Sequence, residues 1–171
     1  MPPNSFARAA TARIQVLAAA AELDFLDTQS IVLPVQITPL EAWTMMHAQP
    51  LPGLRLAFWL RDAVSARFGV KRIGGISGRP HREVQPGDML DFFLVEAVSD
   101  EVLTLTVRDR HLDVMTCISS ASGVLSVTSS VQTHNLFGRL YMVPVRPAHR
   151  LIVAIMLKRL RQDLARRRAA G

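Results

Sequence analysis

From residue 88 to residue 134 the chain alternates apolar and polar positions with period two, the signature of half-buried strands. Leu90, Phe92 and Leu94 line one face of a first segment, with Glu96 interrupting near its end. Leu103, Leu105 and Val107 interleave with Thr104, Thr106 and Arg108 in the second. A third runs over 111–119, after Asp109-Arg110, and a fourth, rich in Val, Thr and Ser, over 124–134, after Ala121-Ser122-Gly123. Links this short require antiparallel neighbours, so the segments predict a four-strand meander. The period then changes. Over 147–168, Val153, Met156, Leu157, Leu160 and Leu164 recur at helical spacing, while Lys158, Arg161, Gln162, Arg166 and Arg168 fall off that stripe. Residues 151–157 are apolar on every side. The pattern predicts one long helix enclosed at its start and half-exposed at its end.

The first half of the chain is less regular. Residues 5–22 are Ala-rich and predict a helix ended by Asp24 to Asp27; residues 31–37 predict a strand bent or placed at an edge by Pro34. Thr38-Pro39-Leu40-Glu41 is a helix start in which Thr38 caps, Pro39 takes the first helical position and Glu41 closes a capping box. Trp43, Met46 and His47 follow. Pro50-Leu51-Pro52-Gly53 breaks the chain, and residues 54–68 predict a second helix, with Leu56, Trp59, Leu60, Ala63 and Val64 inward and Gly69 as its stop. Residues 71–87 leave room for one short strand near 73–77. Gly74-Gly75-x-x-Gly78 lacks the Lys-Ser/Thr and the following helix of a phosphate loop. The expected order is strand, two helices, about six strands and a long helix. An antiparallel sheet must cover its apolar face, so it curls over the last helix, and the short helices plug one end. Such an arrangement leaves room for a cavity between sheet and helix.

Composition narrows this to a single domain with a sizeable core: 171 residues, 49% hydrophobic and 20% charged. The one cysteine, Cys117, lies in a strand pattern and excludes an intramolecular disulfide or a cysteine metal cluster. No apolar run reaches bilayer-spanning length, and Glu22 and Asp24 follow the Ala-rich run too closely for a secretory signal. A cytoplasmic location is therefore expected. The net charge of +6 is concentrated in residues 158–168, where Lys158, Arg159, Arg161, Arg166, Arg167 and Arg168 oppose only Asp163. Cations there suit the end of a helix dipole, and they also suit weak contact with an anionic membrane. No aromatic residue alternates with the arginines, so nucleic acid is not an expected partner.

Beyond pattern, particular residues look familiar. Asp109-x-His111-Leu112-Asp113, His134-Asn135-x-x-Gly138-Arg139-x-Tyr141 and Pro147-x-His149-Arg150, with Trp43, Leu60-Arg61-Asp62 and Phe68-Gly69, resemble a bacterial family of unknown function. Its members stand alone or follow a nucleotide-sugar-epimerase-like domain. The resemblance spans roughly residues 24–160 and leaves 1–23 as an N-terminal helical extension to a 24–168 domain. That family is similar in fold to the helix-grip superfamily of START lipid carriers, the birch-pollen allergen and polyketide cyclases. The resemblance implies an α+β helix-grip fold and a cavity for a hydrophobic ligand. It implies neither a particular ligand nor a reaction.

The strongest polar cluster is Asp109, His111 and Asp113. On a strand His111 and Asp113 share a face, and a carboxylate beside an imidazole raises its basicity, as general-base work needs. The plainer reading makes Asp109 and Arg110 a turn and His111 the end of a strand. A metal held by His111 and Asp113 with His134 or His149 lacks any His-Glu-x-x-His context, so no metal and no cofactor are expected. Tyr141 and His149 flank the entry to the last helix, where they either orient the polar end of a ligand or close a satisfied corner. Asn135 holds a turn or joins them. Trp43, Trp59, Phe92 and Met156 line a cavity or fill a core.

The expected function is the holding of a small apolar molecule between sheet and C-terminal helix. One alternative is an enzyme of the same fold using His111, Asp113 and Tyr141. Another is a membrane-peripheral interaction module using residues 158–168. The sequence names no ligand and no oligomeric state.

Overall fold

Residues 14–48 and 83–171 are described here from a computed structural model. Six strands, Phe25–Val32 (β1), Met89–Leu90 (β2), Phe93–Val98 (β3), Val102–Arg108 (β4), Leu112–Ala121 (β5) and Val124–Thr133 (β6), form one antiparallel sheet in the order β1-β6-β5-β4-β3-β2. The sheet is curved and carries a short helix, Pro39–Ala48 (α1), after its first strand and a long one, Leu136–Ala170 (α2), after its last, as in helix-grip folds. The second short helix expected over 54–68, the strand near 73–77, the Gly74-Gly75-x-x-Gly78 stretch and Trp59 lie outside the described residues.

The hairpins are set by their turn residues. Ser122 and Gly123 both take positive φ, 52° and 74°, between Ala121 and Val124, the two-residue turn whose twist matches paired strands. Asp109 Oδ1 accepts from the amides of His111 at 2.6 Å and Leu112 at 3.0 Å, and Ser99 Oγ accepts from that of Val102 at 3.1 Å. Thr38 and Glu41 form the expected reciprocal cap, Thr38 N to Glu41 Oε2 at 2.7 Å and Glu41 N to Thr38 Oγ1 at 3.2 Å.

Cross-strand register separates two faces. Ile31, Leu125, Val127, Ile118, Leu103, Leu105 and Val95 point inward and pack with Trp43 and Met46 of α1 and with Val153, Met156, Leu157, Leu160 and Leu164 of α2. The opposite face is small and hydroxylic. Thr28 pairs with Thr128 at 2.9 Å and Ser30 with Ser126 at 2.8 Å. The residues just before β1 cross this face: Gln15 N reaches Cys117 Sγ at 3.4 Å, Thr104 Oγ1 reaches Gln15 Oε1 at 2.9 Å, and Leu17 N reaches Ser130 Oγ at 3.1 Å. Thr104, Cys117 and Ser130 are buried as a result.

Five expectations change. β1 runs over Phe25–Val32 rather than 31–37, because Asp27 and Gln29 occupy its inward positions and mask the alternation. Of the helix expected over 5–22, the described part forms only a three-residue 3-10 turn, Ala20–Glu22, since the backbone ahead of it is bonded to the sheet. Leu90, Phe92 and Leu94 do not share a face. Asp91, at φ 58°, turns the chain there, so Leu90 and Val95 are buried while Leu94 is exposed. The last helix begins at Leu136, capped by Asn135, and passes through Pro144 and Pro147. Nor is its apolar part enclosed all round. It packs on β1, β6 and α1 along one side, which leaves Leu151 62% exposed. The stripe from Val153 to Leu164 is the side that packs inward, and near the far end Arg168 donates to the Pro34 carbonyl at 3.2 Å.

Candidate functional site

The motif residues around Asp109 and Asn135 meet where the β4–β5 turn touches the start of α2. Asn135 Oδ1 accepts from Gly138 N at 3.0 Å as the helix cap, and its Nδ2 donates to the Arg110 carbonyl at 3.0 Å. His111 Nε2 accepts from Arg110 Nε at 2.9 Å, so that nitrogen carries no proton. The ring proton therefore sits on Nδ1 and faces Asn135 Oδ1 at 3.2 Å. The 2.9 Å approach of Asn135 Nδ2 to the same nitrogen would need the other tautomer, which would set two donors against each other at Nε2. Gly138 completes the corner. A Cβ there would overlap the His111 carbonyl, which already accepts from His134 N at 2.8 Å.

The proposed catalytic trio is distributed around this corner rather than gathered. His111 lies in the turn ahead of β5, while Asp113 is on the hydroxylic face, where its Oδ1 is 3.2 Å from His134 Nε2. Phe137 stands between His111 and Tyr141, with ring centroids at 4.7 Å and 6.5 Å. Tyr141 packs against the cluster of Phe25, Val131 and Met142. Among the described residues no three His, Cys, Asp or Glu side chains are grouped for a metal ion.

A second polar cluster runs along the seam between β1 and α2, half-buried at Asp27 and open to solvent at Arg150. Asp27 and Ser129 are direct cross-strand partners on the inward face. Asp27 Oδ1 accepts from Arg150 Nε at 3.1 Å, and its Oδ2 accepts from Gln29 Nε2 at 2.8 Å. Gln29 Nε2 also donates to the Arg150 carbonyl at 3.0 Å, so the strand and the helix backbone are tied together. His149 sits edge-on to Phe25 at 5.7 Å, and the Arg150 guanidinium lies 5.5 Å over the same ring. Burial pushes the His149 pKa below its ordinary value; the Asp27 charge opposes that shift and the Arg150 charge adds to it. At the end of the seam Asp24 accepts from the amide of Thr133 at 2.7 Å and its hydroxyl at 2.8 Å. These bonds hold its carboxyl below its ordinary value, with Arg139 and Arg146 contributing.

What the seam leaves open is chemically specific. Its carboxylates, Asp24 and Asp27, are engaged. Ser129 Oγ, His149 Nε2 and Arg146 Nε are buried with no hydrogen-bond partner among the described residues. Ser129 is only 2% exposed. A buried polar atom without a partner costs on the order of 1–3 kcal/mol, so Arg146 Nε calls for an acceptor, and the Ser129 hydroxyl and the His149 ring nitrogen call for a partner that donates or accepts, as a hydroxyl does. The expected site residue His149 is therefore on the interior seam and Asn135 in the corner. Trp43 and Met156 are in the packed core, where Trp43 meets His47 at 4.0 Å and Phe93 at 5.4 Å. Phe92 is at the β2–β3 turn, 4.3 Å from Phe93. Sequence reasoning missed Asp27 and Ser129. The available signal was a lone serine at the inward position of a row otherwise read as Leu125, Val127 and Val131.

A cleft of 370 Å³ opens elsewhere, at the sheet end near Gln36, Glu41, Asp100 and Ser120. Its polar groups hold the fold: Gln36 Nε2 donates to Ser120 Oγ at 2.9 Å, and Ser120 Oγ donates to the Ile37 carbonyl at 2.6 Å. It is remote from the seam.

Fold and seam together define an α+β domain in which a curved antiparallel sheet is braced by a C-terminal helix, with Asp27 and Gln29 of β1 tied to Arg150 of the helix along the seam. Residues 19–156 match the family described as protein of unknown function DUF2867, and the chain belongs to that family. Neither the curated proteins nor the solved structures provide a match to it.

Proposed function

We propose that the protein holds a small, mostly apolar molecule between the inward face of the sheet and α2, with the molecule's oxygen-bearing end on the β1–α2 seam. The observation that carries this reading is the Ser129 hydroxyl, buried beside Asp27 with no hydrogen-bond partner among the described residues. Apolar walls on either side, from Val127 and Val131 on β6 to Val153 on α2, suit the rest of such a molecule. The arrangement of sheet and helix also suits a relationship to the helix-grip carriers, and bacterial relatives fused to epimerase-like domains would place such a carrier beside an enzyme in the cytoplasm. A catalytic role for His111, Asp113 and Tyr141 has less support, because each has a structural partner at the corner.

The test is a melting-temperature screen of fatty alcohols, fatty acids and aromatic ketones, read on the native chain and on Ser129→Val. A compound that raises the melting temperature of the native chain and not of the variant supports the reading. A screen in which no compound shifts the native chain, together with Ser129→Val more stable than the native chain, refutes it.

A further inference from the structure

We propose that the outward face of the first half of α2 is a docking surface for an anionic lipid bilayer. Leu136, Leu140, Val143 and Leu151 are 70%, 61%, 65% and 62% exposed. Pro147 and Ala154 fall on the same line, with successive spacings of three or four residues, so these side chains form one stripe along the helix. At 1.5 Å per residue the stripe from Leu136 to Ala154 is about 27 Å long. A helix whose other face is already packed into a core ordinarily turns polar residues to water. Here the outward face is apolar for five turns.

The charge around the stripe names the partner. Arg139 flanks it on one edge, where Arg150 is held by Asp27, and beyond Ala154 the same face continues as Lys158 and Arg161. No carboxylate occurs in α2 before Asp163. An apolar stripe edged and extended by cations is the pattern of a helix that lies in the headgroup region of an anionic membrane. A second copy of the chain fits less well, since pairing two such faces would bring Arg139, Lys158 and Arg161 of both copies together with no α2 carboxylate before Asp163 to oppose them.

The helix lies on the bilayer rather than through it. By length and composition α2 could span a membrane, but Met142, Val153, Met156, Leu157, Leu160 and Leu164 fix its opposite face to the domain. Pro144 and Pro147 remove the amides that would bond the Leu140 and Val143 carbonyls. Those carbonyls lie on the outward face, and at headgroup depth water can reach them, as it cannot in hydrocarbon.

The experiment is co-sedimentation of the full chain with phosphatidylcholine vesicles, with and without phosphatidylglycerol, at low and high salt. The expected result is binding to the anionic vesicles that weakens with salt. Leu140→Glu and Leu151→Glu should each reduce it by about tenfold or more. Replacing Lys158 and Arg161 by Gln should reduce it by about fivefold per cation on anionic vesicles and leave neutral ones unchanged. Melting temperatures without lipid should match the native chain for all four substitutions. Failure of the native chain to sediment with either vesicle overturns the proposal. So does a fall in the lipid-free melting temperature or a change from dimer to monomer in Leu140→Glu, since the stripe would then be covered by the chain itself or by a second copy. Neither outcome bears on the interior ligand.

Discussion

Gly138→Ala separates helix propensity from packing, because the two predict opposite signs. Within an exposed helix, Ala in place of Gly stabilises by about 1 kcal/mol. Gly138 has a helical backbone, so that gain is available. Yet the added Cβ would overlap the His111 carbonyl and lie 3.2 Å from its carbon and 3.3 Å from Thr133 Cβ. Its neighbours include backbone on a strand turn, which cannot rotate away as a side-chain tip could. Overpacking of this kind costs about 1–3 kcal/mol. Displacing the His111 carbonyl also weakens its bond to His134 N, worth about 0.5–1.5 kcal/mol. The net is a loss of about 1–3 kcal/mol, or a melting temperature lower by about 2–10 °C for a chain of this size. Urea denaturation with an unchanged slope and calorimetry would measure it. A variant as stable as the native chain, or more so, would mean that the β4–β5 turn does not press on the helix start.

Other outcomes follow from the same contacts. Asn135→Ala removes the helix cap and the bond to the Arg110 carbonyl and should cost about 1–2 kcal/mol by chemical denaturation. Leu160→Ala, on the inward stripe, should cost about 2–5 kcal/mol, whereas Leu151→Ala should stay within about 0.5 kcal/mol; equal losses would contradict the orientation of α2. Burial lowers the pKa of His149 and of His47, the latter opposed by its bond to the Trp43 carbonyl and by the Asp91 charge. The unfolded chain then takes up protons at a pH where the folded chain does not. Stability from these neutral rings is therefore complete above about pH 6.5 and falls as pH drops below it. Replacing both by Gln should flatten the stability profile between that pH and the lowered folded values, read by denaturation at several pH values.

The meander was legible because β4, β5 and β6 keep their apolar residues on one face, and because Ser122-Gly123 and Asp109 are turn chemistry readable without coordinates. The capping box at Thr38 and Glu41 was legible for the same reason. Where polar residues point inward, pattern fails. Asp27 and Gln29 hid β1, and they form part of the polar seam beside α2. Pro147 looked like a helix start, since proline suits the first helical position. The helix instead continues through it from Asn135, whose side chain supplies the cap. The apolar run at 151–157 suggested burial on all sides, but among the described residues the sheet and α1 cover one side of the helix and Leu151 is exposed.

Candidate residues divide in a similar way. His111, Asp113 and Asn135 attract notice because they are polar and closely spaced, and the fold gives each a local partner. His149 was visible at the helix entry, but its relation to Asp27 and Ser129 depends on strand register across β1 and β6, which no local spacing encodes. Serine is common in β6, where Ser126 and Ser130 face the hydroxylic side. Only its parity sets Ser129 apart.

The most direct measurement is a set of nuclear Overhauser contacts from a bound fatty alcohol or ketone to the labelled chain. Contacts are expected from the molecule's oxygen-bearing end to Ser129 and the His149 ring, and from its apolar part to Val127 and Val153. Contacts confined to the cleft at Gln36 and Ser120, or a Ser129 environment unchanged on saturation, would contradict this placement.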